Sequence, residues 1–350
     1  MSRSRGTKEI TLPRAADDSL PEPSRGPDLA VVIPARNEAP RIEASLRSVR
    51  VALEEAGTDA YEVVVVDDDS SDGTAEVART LGARVVLQRP RQGPLAGWRL
   101  GVRSTSAPLI VFVDADCVVL RQAFDAFLRR FDDGTVGCVG GRAVPRQCES
   151  PRGLLCYSGC FSAAVRHQMN SRIENHDCIA MGGLMAVRRD AWRVQDADEY
   201  PNDRVVAARA KEAGWRIVYE PGAEVVYEAP TRYRQLRAQY RRNGAAPVAS
   251  VSFDRLPAAV VVRALGVSAL SSPRHAIGWG LVRVPLLAER LLGRMKPTQS
   301  FTIQWDGLWD EPARSQKGVT LSCEPHLKRV DEVAEAGSSA AGVDSGRDDR

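Results

Sequence analysis

The chain has 350 residues, 43% of them hydrophobic, enough to bury one large α/β core or two smaller ones. Its 48 Lys and Arg stand against 45 Asp and Glu, and a formal net charge of +3 is too balanced to mark a nucleic-acid partner. No run of about 18 uncharged apolar residues occurs, so nothing in the sequence predicts a bilayer-spanning helix.

Residues 1–28 are rich in Pro, Ser, Arg and Asp and have no apolar core of a signal peptide, which predicts a disordered tail. From about 29 to 140, apolar runs of strand length alternate with segments of helical period. The predicted strands are LAVVI (about 30–33), YEVVVV (61–66), ARVVLQ (83–88), LIVFV (109–113) and VGCVG (136–140). Ile42, Leu46, Val49 and Leu53 recur at helical spacing between the first two, and Thr74, Val77, Ala78 and Leu81 do so after the second. β-Branched runs joined by helices predict a parallel sheet buried on both faces. From about 150 to 245 the order becomes mixed. A helical stretch comes first, then the glycine-bearing CIAMGGLMAVRRDAW, a helix near 202–213, and two short strands, WRIVYE and AEVVYE. Residues 256–293 predict a pair of amphipathic helices in which Arg283, Arg290 and Arg294 share one narrow stripe. Such helices either lie on the inner membrane face or pack back onto the preceding domain. The stretch from about 311 onward predicts a second disordered tail.

The seven cysteines are scattered without a CxxC pair, which predicts reduced thiols and a cytoplasmic protein. The four histidines form no metal-ligand spacing, and His176–Asp177 reads as an ordinary loop pair.

Three polar turns leave the carboxyl ends of predicted strands. They are PARNE (Pro34–Glu38), DDDSSDGT (67–74) and DADC (Asp114–Cys117). In open α/β sheets ligands bind outside those ends, so the three turns converge on one edge. Carboxylates gathered there repel one another unless a cation or hydrogen-bond donors meet them. A divalent metal carrying a phosphorylated ligand is the economical solution. A turn of this kind needs only one Asp as a helix cap, and Asp72 is the natural candidate.

The segments VVIPARNEAPRIEASLRSV, VVVVDDDSSDGT, LIVFVDADC, MGGLMAVRRDAW and NDRVVAARAKEAGWRIVYEPGAEVVYE resemble family 2 glycosyltransferases of the GT-A fold, over roughly residues 29–245. The resemblance implies a Rossmann-like α/β domain with helices on both faces of a mostly parallel sheet, divided into a nucleotide-binding half (29–140) and an acceptor-binding half (141–245). A C-terminal helical extension (246–310) follows. It implies a nucleotide-sugar donor, with UDP-sugars favoured, and an acceptor that is a glycan, lipid-linked or small molecule. Asp68 would meet the nucleobase, and the turn with Pro34, Arg36 and Glu38 would cradle base and ribose. Asp114 would sit near the ribose, and Asp116, assisted by Asp114, would hold Mg²⁺ or Mn²⁺ on the diphosphate. Asp203 would be the general base.

Several positions depart from the family pattern. Pro94 and Arg99 stand where Lys and Asn are usual, so Arg91 or Arg99 would replace a phosphate contact. Asn202 replaces an acid before Asp203. In QYRRNG the residue expected as Trp in processive synthases is Asn243, which disfavours a processive enzyme, while Arg242 would approach the diphosphate. The expected activity is therefore an inverting, non-processive transfer. The alternatives are a nucleotide-sugar-binding protein that has lost its chemistry, or a nucleotidyltransferase, which PARNEAP disfavours because it lacks a glycine.

Overall fold

Runs of β-branched residues alternate their side chains between two faces, and both faces are buried here. The computed structural model describes residues 27–146, 153–179, 183–198, 202–230, 232–245 and 255–295, with the side chains at 178, 202, 241–245 and 287–295 not described. Strands β1 (Leu29–Ala35), β2 (Tyr61–Asp67), β3 (Arg84–Leu87) and β4 (Leu109–Val113) are parallel neighbours in the order β3-β2-β1-β4. Val31, Ile33, Val63, Val65, Val111 and Val113 point to one face, under α1 (Ala39–Glu55) and α4 (Ala123–Arg130). Val32, Val64, Val66, Ile110 and Phe112 point to the other, under α3 (Pro94–Arg103) and α6 (Asn202–Glu212). Trp98 of α3 stacks on Phe112 at 4.6 Å between centroids. The short α2 (Thr74–Thr80) follows β2.

The rest of the sheet departs from the expected parallel pattern. β5 (Cys117–Val119), β6 (Val136–Pro145), β7 (Leu184–Arg188) and β8 (Arg216–Tyr227) complete eight strands in the order β3-β2-β1-β4-β7-β6-β8-β5. β7 inserts antiparallel between β4 and β6, so VGCVG does not adjoin LIVFV as a simple continuation. The two predicted strands near 216 and 224 are one strand, paired parallel to β6 with a register shift between Gly140 and Arg142. That shift accommodates Pro221 and Gly222 within a strand, a bulge that local sequence reads as a break.

Gly101 marks the closest approach of α3 to the sheet. A Cβ there would fall well inside van der Waals contact of Val32 Cγ1, and 3.2 Å from its Cγ2. Val32 is fully buried in β1 and has no room to retreat. Gly101→Ala should therefore destabilise the protein by about 1–3 kcal/mol through overpacking, read as a lower chemical-denaturation midpoint with an unchanged m-value. A midpoint equal to wild type would show that the helix shifts freely.

α5 (Gly153–Asn170), α7 (Tyr233–Ala245), α8 (Ala258–Ser271) and α9 (Pro273–Met295) form a helical group at the C-terminal side of the domain. The expected helix pair is present, and it packs back on the domain through α5 and α7. Leu236, Val282 and Leu286 form a small core with Leu155 and Tyr240. The predicted polarity of α9 is reversed at Arg283. Its guanidinium turns inward, donating to Ser158 Oγ at 2.8 Å and to Tyr240 Oη at 3.2 Å. The side chains of Arg290 and Arg294 lie outside those described. No described helix is long and apolar enough to cross a membrane.

The cysteine expectation is also corrected. Cys117, Cys138 and Cys156 are free, but Cys160 is disulfide-bonded. Pairing depends on which sulfurs the fold brings together, which scattered spacing does not reveal, and cysteine usage no longer argues for a reducing compartment. Of the two predicted tails, only residues 27 and 28 fall within the described residues, and Asp28 N–H already donates to the Ala60 carbonyl at 2.8 Å.

Candidate active site

Three consecutive aspartates would repel if they pointed the same way, and the fold sends each elsewhere. Asp67 ends β2, is fully buried, and accepts from the Ser70 N–H at 3.2 Å, while its Oδ2 accepts no hydrogen bond. Asp68 turns toward the segment after β3. Its Oδ1 accepts from Gln88 Nε2 at 2.6 Å and Gln92 N–H at 2.8 Å, and its Oδ2 accepts from Gly93 N–H at 2.9 Å. One acceptor position of a carboxylate's four is left by those bonds. Asp69 takes a left-handed backbone (φ 63°) and faces Arg89 at 3.8 Å.

The turn after β1 is laced to the turn after β2. Asn37, also left-handed (φ 53°), donates its N–H to Ser70 Oγ at 3.1 Å and accepts from Ser71 N–H at 2.9 Å. Glu38 N–H donates to Thr74 Oγ1 at 2.9 Å. Asp72 accepts from Thr74 N–H and, across the gap, from Ala39 N–H, both at 3.1 Å. The expected cap of α2 thus also satisfies a free N–H at the start of α1, and the cap position of α2 itself is Gly73. Pro34 pairs with Val66 inside the sheet, and Arg36 is half-buried at the end of β1.

The acids meet at this edge. Burial pushes the Glu38 carboxyl up from its ordinary 4.5 to about 7; Arg41 opposes the rise, and Asp116 and Asp72 add to it. Asp114 is pushed well above the usual carboxylate range by burial and by the charges of Asp116, Asp203 and Glu38. Asp116 is raised by burial, against the lowering influence of Arg41. Asp114 thus feels Glu38, Asp116 and Asp203, although the four acids come from three separate segments. Arg41 binds Glu38 through Nε at 2.5 Å and is held charged by Glu38, Asp116 and Glu228 despite its partial burial.

Ligand atoms of Asp114, Asp116 and Cys117 lie within 4.8 Å of one another. The Cys117 thiol is buried and pushed well up, by burial first and then by Asp116 and Asp114, so it stays protonated and donates to Asp116 Oδ1 at 3.7 Å. The donor set is then two carboxylates, hard oxygen ligands suited to Mg²⁺ or Mn²⁺ rather than to a thiolate-seeking metal.

Asp203 is the second residue of α6, and its Oδ1 accepts the Arg204 N–H at 2.9 Å. The helix start is anchored by a pair that spacing did not reveal. His176 and Asp177 are buried, not an ordinary loop pair, and Asp177 Oδ2 accepts from Arg204 Nε at 2.7 Å. Arg99 is engaged elsewhere. Its guanidinium donates to the carbonyls of Gln195, Asp196 and Asp198 at 2.9–3.2 Å, stapling the loop before α6. Arg91 is half-buried beside Gln92, whose N–H meets Asp68. Arg242 lies in α7, but its side chain is outside those described. Sequence reasoning missed Arg41, and its place three residues after Glu38 on the first turn of α1 was the available signal. Nothing local pointed to Asp177 or Gln88.

The raised carboxyls make a pH expectation. A carboxyl raised to about 7 in the folded chain keeps its proton there after the unfolded chain has lost it near 4.5. The folded chain then binds more protons between those values, so the stability of the metal-free protein falls as pH rises from 4.5 to 7. Protons on the raised Asp114 and Asp116 carboxyls compete with Mn²⁺, so its affinity should climb with pH. Thermal melting with and without Mn²⁺ across that range checks both; a metal-free melting temperature that climbs toward pH 7 would contradict the assignment.

An acid pair at the carboxyl end of β4, at the same sheet edge as the laced turns that follow β1 and β2, suits a nucleotide-dependent transferase on a GT-A-like sheet. The chain belongs to glycosyl transferase family 2, whose model matches residues 30–207, and it is a glycosyltransferase. It is 25% identical over 231 residues to glycosyltransferase AglE of Haloferax volcanii, covering 61% of this chain and 71% of that one. It is 27% identical over 290 residues to the pre-mycofactocin glycosyltransferase of Mycobacterium tuberculosis, covering 78% of this chain and 58% of that one. The chain thus spans little more than half of the mycobacterial relative. Among solved structures it resembles the mannosyltransferase PcManGT from Pyrobaculum calidifontis, in complex with GDP-Man and Mn²⁺, with a TM-score of 0.53 and 20% identity. That match covers 83% of this chain and 90% of the other, a likeness of fold.

Proposed function

We propose that the protein is an inverting, non-processive glycosyltransferase that moves a sugar from a nucleoside-diphosphate sugar to an acceptor hydroxyl. One observation carries this reading: the charge of Asp203, from the second half of the domain, helps to raise the Asp114 carboxyl beside Asp116. An acid able to take a proton thus neighbours a pair able to hold a cation. In this reading Asp68 meets the nucleobase with its remaining acceptor position, and Pro34, Arg36 and Glu38 flank base and ribose. Arg91 and Arg242 approach the diphosphate. Arg99 is given the loop-holding role its bonds support.

Asp114 and Asp116 would hold Mg²⁺ or Mn²⁺, which when bound offsets the charge of the departing nucleoside diphosphate. Asp203 takes the proton from the acceptor oxygen as that oxygen attacks the anomeric carbon. A base on the face opposite the leaving group requires inversion, turning an α-linked donor into a β-linked product. The donor favoured is a UDP-sugar, and the acceptor class is a lipid-linked glycan, a polysaccharide precursor or a small molecule. A peripheral seat on the inner face of the plasma membrane belongs to the same reading.

The test is product analysis over a panel of UDP-, GDP- and dTDP-sugars with Mn²⁺. Free nucleoside diphosphate and a β-linked product are expected. Pyrophosphate would indicate nucleotidyl transfer, and a retained α-configuration would overturn the single displacement. Binding of a donor without any product would favour a nucleotide-sugar-binding protein.

A further inference from the structure

Helices α8 and α9 each bury one stripe and turn an apolar stripe outward. The buried positions are Ala264 and Ser268 on α8, with Val282 and Leu286 on α9. On the opposite faces stand Val262 (68% exposed), Leu270 (84%), Ile277 (63%), Leu281 (62%) and Val284 (55%). Five of the eight exposed large hydrophobics among the described residues thus lie on two adjacent helices, which is not the scatter of an ordinary surface. On α9, positions 277, 281 and 284 are spaced four and three apart, so they form a single stripe.

Charge identifies the occupant. Arg263 on α8 and Arg274 on α9 are exposed and stand two helical turns before Leu270 and Leu281, and no Asp or Glu falls between Asp254 and Glu289. A second copy docking on this face would set Arg263 and Arg274 against arginines of its own kind. An anionic bilayer answers both features, since phosphates meet the guanidinium groups and the stripe enters the boundary between headgroups and acyl chains. Neither helix is long and apolar enough to cross. Their place is flat on the surface.

We propose that the outward face of α8 and α9 is a docking surface for an anionic lipid bilayer, with Leu270, Ile277, Leu281 and Val284 as the inserted side chains. The inference draws on the functional reading only for the leaflet and acceptor it serves. The inward Arg283, bonded to Ser158 and Tyr240, ties α9 to α5 and α7, so the face is held by the domain that carries the site. A bilayer on this face would present lipid-linked acceptors to that domain.

Flotation of the full-length protein tests it. Vesicles of phosphatidylcholine mixed with phosphatidylglycerol should carry the protein at low salt, and pure phosphatidylcholine vesicles should carry much less. Leu270→Glu combined with Leu281→Glu should lower partitioning by ~100-fold, about tenfold for each side chain withheld from the boundary. Arg263→Ala and Arg274→Ala should each lower it ~5-fold on the anionic vesicles alone. Melting temperature and Mn²⁺-dependent nucleoside-diphosphate binding, measured on the same variants, should match wild type. This separates loss of docking from loss of fold, and failure of docking from failure of the transferase reading. Wild-type protein that stays in the soluble fraction at low salt would overturn the proposal. So would equal flotation of the double Glu variant, or a dimer that the Glu substitutions dissociate with no lipid binding by wild type.

Discussion

Asp203→Asn should lose about 10²–10⁴-fold in kcat while melting temperature and donor affinity stay near wild type. The two roles open to this side chain make opposite demands. As a helix-start acceptor, Asp203 receives the Arg204 N–H through one oxygen, and an Asn carbonyl accepts the same bond. The start of α6 is held besides by Arg204 on the buried Asp177, which the substitution leaves alone. Folding therefore has little reason to notice. As a base, however, Asn has no lone pair basic enough to take a proton from a hydroxyl. Loss of one negative charge should also ease the Asp114 carboxyl, which Asp203 helps to raise, so protonation of Asp114 is relieved rather than worsened. Steady-state kinetics with calorimetry of donor binding checks this. Near-normal turnover would return Asp203 to a structural role and leave the base unassigned.

Asp116→Asn should abolish Mn²⁺-dependent nucleotide binding, by more than the ~10–100-fold typical of losing a residue that only supports a ligand. Asp116 supplies one of two carboxylates in the donor set, and Cys117 cannot replace it because its thiol stays protonated. The fold should not suffer. Asp116 is raised by burial, and its charge raises Asp114, Glu38 and Cys117 in turn. Removing that charge relieves repulsion, at the cost of one partner for Arg41. The metal-free variant should therefore melt at or slightly above the wild-type temperature at pH 7, and Mn²⁺ should no longer raise it. Donor affinity that is unchanged, and equally indifferent to a chelator, would remove Asp116 from the metal site.

The strands and their order of burial were legible because apolar runs such as VVIPA and LIVFV carry their own period and end at polar turns. The convergence of three acidic turns followed from a general property of parallel sheets, and it holds for Glu38, Asp114 and Asp116. The loop-holding bonds of Arg99 were hidden because its partners are carbonyls nearly a hundred residues away. The bulge that joins the strands near 216 and 224 was hidden for a similar reason, since pairing with β6 supplies the energy that Pro221 and Gly222 locally withhold.

By itself, then, the order of residues determined the family, the α/β core and the acids at strand ends, because these rest on local period and short motifs. Only the tertiary structure decided how the acids are served. It sent Asp67, Asp68 and Asp69 in three directions, set Arg41 between Glu38 and Asp116, and fastened the start of α6 through Asp177. It also turned Arg283 inward and the apolar stripe of α9 outward. A helical period shows that two faces differ, but which face meets the domain depends on the partner surface, and Ser158 and Tyr240 provide polar partners for an arginine there.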